Sequence, residues 1–152
     1  MANIRIGSHP SHDYEVAEKI TEAKQLTWKD SGKLFFCEKG GLYVINLPKL
    51  SEEIAGWQAK FILTVTVGSN IEILVYGATA GNTPASATDL NKVNMIEMTN
   101  AGRTNEPATD GIKFSSSASS SDLGAVIEVH TDGKKWYVLG MADTANGLGS
   151  VG

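Results

Sequence analysis

The chain reads as an all-β protein, an antiparallel β-sandwich or barrel-like domain of about eight short strands with an extended N-terminal arm. Three observations predict it. From Lys33 onward, short runs rich in Val, Ile, Leu, Phe, Tyr and Trp recur along the sequence, several alternating apolar and polar residues at the period of a strand. Turn-forming clusters separate them, including Asp30-Ser31-Gly32, Lys39-Gly40-Gly41, Gly68-Ser69-Asn70 and Asp132-Gly133. No helical crossover of the kind that joins parallel strands is visible between those runs.

With 152 residues, 41% of them hydrophobic, the chain suits one domain. A domain of that size buries roughly 70% of the surface its unfolded chain exposes and needs no metal or disulfide staple. The expected division is an N-terminal arm over 1–24, a sandwich or barrel over 25–142, and a flexible small-residue tail over 143–152.

Residues 1–12 are polar, punctuated by Gly7 and Pro10, and read as an extended arm. Over 13–24, Asp13 is placed to cap a short helix burying Val16, Ile20 and Ala23 at helical spacing, and the alternative is that the same residues feed a strand through Gln25–Trp28. A short helix or irregular arm is the preferred reading. Residues 33–38 form a strand rich in Leu and Phe. Residues 42–47 form another, with Tyr43, Ile45 and Leu47 on one face, and Pro48 ends it because proline has no N–H to donate. Over 60–67, Phe61, Leu63, Val65 and Val67 alternate with outward polar residues, and 71–76 follows after a turn.

Residues 77–92 are too rich in Ala, Thr, Gly and Asn for core and read as a surface loop. A weaker strand over 93–99 precedes a second loop over 100–110, then a short strand over 112–115. The serine-rich run 115–121 is a solvated connection. Two final strands, 125–130 and 135–141, flank Thr131-Asp132-Gly133-Lys134. Asp-Gly suits the positive φ angles of a two-residue type I′ hairpin turn.

Composition excludes several functions. The formal net charge of −4, with lysines scattered and Arg only at Arg5 and Arg103, opposes a phosphate-binding face, so no nucleic-acid partner is expected. Cys37 is the one cysteine, which rules out an intrachain disulfide, and it lies in an apolar run where a thiol is buried and inert. No 18-residue apolar stretch or secretory-type leader is present, so the expectation is a protein made in a cytosol, used without a targeting step and without a membrane partner.

Chemistry is equally absent as a pattern. His9, His12 and Asp13 form the one metal-like cluster, short of the four rigid ligands of a structural zinc site, and read as solvated residues of the arm. Ser31 sits in a turn and no G-x-S-x-G elbow exists. Glu52-Glu53 after Ser51 look like a first helical turn. No phosphate loop or dinucleotide fingerprint occurs. The expectation is therefore no enzyme, no catalytic residue, no metal and no cofactor. The six Trp and Tyr residues from Trp28 onward read chiefly as core. Trp136 and Tyr137, adjacent on one strand, must face opposite ways, so at most one joins any sugar-binding platform.

The order of motifs carries a resemblance. Leu26-Thr27 with Asp30-Ser31-Gly32-Lys33, a strand ending in Leu47-Pro48, then Gly56-Trp57 and Lys60-Phe61, and a closing Asp132-Gly133-Lys134-Lys135-Trp136-Tyr137-Val138 hairpin lie in sequence. Over about residues 26–140 this resembles small β-rich virion proteins of tailed bacteriophages, particularly head decoration (cement) proteins. The resemblance implies a non-enzymatic protein that binds the outer surface of an assembled capsid and stabilises it. Its partner would be the major capsid protein and its own state a homo-oligomer, with a trimer favoured. A tail- or fibre-associated module binding host glycans is the alternative. In the decoration reading Ile4, Ile6 and Tyr14 are the capsid-contact candidates, since an arm with only those large apolar side chains orders against a partner rather than alone.

Overall fold

A computed structural model describes residues 16–77, 93–99, 102–116, 122–144 and 147–151. It is an all-β sandwich of a seven-stranded and a five-stranded sheet. The strands in chain order are β1 (Val16–Ile20), β2 (Lys24–Gln25), β3 (Lys33–Cys37), β4 (Tyr43–Asn46), β5 (Gln58–Leu63) and β6 (Ile71–Leu74). After them come β7 (Val93–Thr99), β8 (Gly102–Thr109), β9 (Gly111–Phe114), β10 (Val126–Thr131), β11 (Trp136–Met141) and β12 (Leu148–Val151). The larger sheet runs β1-β3-β5-β10-β11-β7-β8 and the smaller β12-β9-β6-β4-β2.

The sandwich matches the expected class, but its sheets are mixed rather than antiparallel, and the strands are more numerous than about eight. β1, β3 and β5 pair in parallel in one sheet, and β2, β4 and β6 pair in parallel in the other. Parallel neighbours need a crossover. Here each crossover is a strand of the opposite sheet, so no helix is required. From β9 onward the smaller sheet pairs antiparallel, as does the β10–β11 hairpin and its junction with β5.

Both ends extend the sandwich beyond the expected boundaries. Residues 16–20 are a strand, not a helix: β1 pairs in parallel with β3 at the sheet edge, and of the residues on its inward side Ile20 is buried while Val16, at the outer end of the strand, is exposed. The tail contains β12, whose Leu148 and Val151 are buried and whose partner is β9. The loop expected over 100–110 is largely β8, an edge strand paired with β7. Its register slips between Val93 and Met95, where Pro107 falls, and an edge bulge is where proline is tolerated in a sheet. The strand expected over 60–67 stops at Leu63, and Thr64 N and Oγ1 make its last bonds to β3 through the carbonyl of Cys37. Most of the 77–92 loop and of the 115–121 connection lies outside the described residues.

The core lies between the sheets. Phe35 stacks on Phe61 with ring centroids 5.1 Å apart, and Trp57 meets Trp136 edge to face at 5.3 Å. Both geometries suit the quadrupole of aromatic rings. Gly140 on β11 faces inward, and a Cβ there would come within 2.6 Å of Leu148 Cδ1, so the bare backbone makes room for β12.

The β10–β11 hairpin forms as expected, but its turn differs. Thr131 pairs with Trp136, leaving four residues in the loop, and among the described residues only glycines have positive φ. Asp132 therefore does not adopt the type I′ conformation. Instead its carboxylate accepts from the amides of Lys134 and Lys135, both at 2.8 Å, which organises the loop with one left-handed residue, Gly133 (φ 87°).

Candidate interaction surface

The strands that fill the core with one face carry apolar residues on the other. Continuous apolar runs cause this: Leu34-Phe35-Phe36-Cys37, Phe61-Ile62-Leu63, Ala125-Val126-Ile127 and Val138-Leu139-Gly140-Met141. Phe35, Cys37, Phe61, Leu63, Ile127 and Val138 turn inward and are buried. Their neighbours fall on the outer face of the seven-stranded sheet.

Register aligns those neighbours into rows. Phe36 pairs with Ile62, Ile62 with Val126 and Val126 with Met141, so one apolar row crosses four strands, with Lys19 at its β1 end. The next row is Leu34, Lys60, Glu128 and Leu139. Its two charges pair with each other, Lys60 Nζ donating to Glu128 Oε1. The third row sets His130 beside Tyr137, whose hydroxyl donates to Asp132 Oδ2 at 3.0 Å. On β11, Tyr137, Leu139 and Met141 are 42, 37 and 45% exposed, while Phe36, Ile62 and Val126 are half-buried. The smaller sheet differs, since all four residues of β6 are buried and that strand is covered on both sides.

A second feature lies at the end of the sandwich. Thr27–Asp30 form a tight 3₁₀ turn in which Thr27 N and Oγ1 both donate to Asp30 Oδ2, at 2.8 and 3.0 Å. Lys33 Nζ donates to Asp30 Oδ1 at 2.7 Å and Trp57 Nε1 donates to the Thr27 carbonyl at 3.1 Å. Burial raises the Asp30 pKa. The hydrogen bonds from Lys33 and Thr27 and the Lys33 charge outweigh it, leaving the carboxyl below its ordinary 3.8. This turn presents Trp28, 66% exposed, beside a groove of about 540 Å³ that Tyr76 also lines.

Ile4, Ile6 and Tyr14, with His9, His12 and Asp13, lie outside the described residues. Cys37 is fully buried, and burial pushes its thiol up to about 12 against a smaller opposing hydrogen bond with Tyr43, so it stays protonated at neutral pH. Ser31 is exposed, and His130 Nε2 stands 3.9 Å from Glu128 Oε2. Glu52 and Glu53 open a short 3₁₀ turn after Ser51, as their spacing suggests. Among the described residues, no three His, Cys, Asp or Glu side chains are grouped to hold a metal ion.

Trp57, Trp136 and Tyr43 are core residues, whereas Trp28, Tyr76 and Tyr137 are exposed. The sequence reading missed the exposure of Trp28, and the signal for it was local: Thr27-x-x-Asp30 is a capping pattern, and capping patterns sit on turns. Comparison of the chain with protein-family models, curated proteins and solved structures returns no match.

Proposed function

We propose that the protein is a non-enzymatic structural component of a phage virion that binds the outside of the assembled capsid and stabilises it, as a decoration protein does. The observation that carries this reading is the apolar row Phe36–Ile62–Val126–Met141 on an otherwise self-sufficient sandwich. A face of that kind, with Lys19 at its edge and the Lys60–Glu128 pair neutralised within it, suits a broad protein contact rather than a reaction. The motif order and this face support the same role. A ligand that binds only the assembled shell stabilises the shell by mass action. A homotrimer at local three-fold positions, with Ile4, Ile6 and Tyr14 reaching a neighbour, completes the proposal.

Co-sedimentation with expanded capsids stripped of their decoration protein tests it. The Leu139→Glu, Met141→Glu double variant places charge where contact is proposed, on exposed positions that the core does not use. It is expected to keep its melting temperature and to lose at least tenfold in capsid affinity, about 1.4 kcal/mol. Equal binding by wild type and variant moves the contact off this face. Wild-type protein that never co-sediments, and is missing from purified particles by mass spectrometry, overturns the virion role.

A further inference from the structure

The groove beside Trp28 presents a different chemistry from the apolar face. It is lined by Gln25, Trp28, Lys49, Ser51, Glu53 and Tyr76, among others, and it opens at the end of the sandwich. An exposed tryptophan forgoes the burial that stabilises Trp57 and Trp136, so its position calls for a reason. The turn beneath it is held by four side-chain hydrogen bonds: two from Thr27 to Asp30, one from Lys33 to Asp30 and one from Trp57 to Thr27. Asp30 itself is buried. Lys29 Nζ also lies 5.5 Å from the Trp28 ring centroid, within cation–π range. Trp28 is thus presented from a braced support, and preorganisation of that kind lowers the entropy cost of binding.

We propose that this groove is a binding site for an uncharged oligosaccharide, with Trp28 and Tyr76 as stacking platforms for sugar rings. A pyranose offers apolar C–H faces to the aromatic rings and hydroxyls at its edge. Each hydroxyl both donates and accepts, so it satisfies the donor-only ammonium of Lys49 and the acceptor-only carboxylate of Glu53 alike. A proline-rich peptide also docks on aromatic grooves, but its prolines have no N–H to offer Glu53. One lysine and one glutamate on the same lining give no single-sign field, which disfavours a polyanion. The inference does not depend on the capsid role, because it concerns other residues.

The full chain, printed against an array of neutral hexose and N-acetylhexosamine oligosaccharides, is the first test. Sulfated dextran and decaproline serve as comparison ligands. The strongest array ligand then goes to calorimetry and to tryptophan fluorescence titration. At least one neutral oligosaccharide is expected to bind. Trp28→Ala should weaken it at least tenfold and Tyr76→Ala at least threefold, with Trp28→Phe retaining part of the affinity. Leu42→Ala, also exposed but outside the groove, should leave that affinity unchanged. Both groove side chains are exposed, so circular dichroism and melting temperature should match wild type. No retained glycan, affinity unmoved by Trp28→Ala, or binding of decaproline or sulfated dextran alone would each overturn the proposal.

Discussion

Asp30 shows how one side chain sets local architecture. It accepts two hydrogen bonds from Thr27 and one from Lys33, and these hold its carboxyl below the ordinary 3.8 despite burial. A group whose folded pKa is depressed contributes stability that is present above its unfolded value and lost as pH falls through the folded one. Asp30→Asn keeps the shape but leaves Lys33 with Glu18 as its remaining acidic partner. The variant is expected to be about 1–3 kcal/mol less stable than wild type at pH 7. That gap should narrow as pH is lowered from about 5 through 3.8 and below. Urea denaturation across that pH series measures it, and a gap independent of pH would show that charge is not what Asp30 contributes.

Strands differed in how openly the sequence announced them. β4, β5 and β11 alternate inward and outward residues, and each is visible from its pattern. β8 is GRTNEPAT, with almost no apolar side chain, and its extended form comes from pairing with β7, which local composition does not record. β12 is only four residues and was hidden among small ones. A short edge strand can still matter. Truncation before Leu148 exposes the site of two buried apolar side chains and strips β9 of one of its two partners, leaving it paired with β6 alone. The expected loss is about 3 kcal/mol or more, and so a melting temperature lower by at least about 6 °C. A flexible tail would leave the melting curve unmoved. Neither exposed feature was legible in the sequence: the outer apolar row lies in unbroken apolar runs that read as strand core alone, and the groove depends on residues from Gln25 to Tyr76 meeting in space.

At the scale of the molecule, the chain passes from one sheet to the other at every step from β1 through β6. This winding was invisible to a reading that sought helices for parallel crossovers, because strand period does not say which sheet a strand will join. Neither sheet can then come apart without drawing strands out of the other. Unfolding is therefore expected as one cooperative transition. Far-UV circular dichroism reports both sheets, and fluorescence of the buried Trp57 and Trp136 reports the core. Their midpoints should coincide, and a resolved second transition would mean the sheets are separable units.

The bulge on β8 has a bearing on crowding. An unbroken edge strand offers a row of free amides and carbonyls on which a second molecule can polymerise. Pro107 has no amide hydrogen, and the slipped register around it interrupts that row on one border of the seven-stranded sheet. Copies of the chain at high concentration are thereby discouraged from zipping into fibrils along that border.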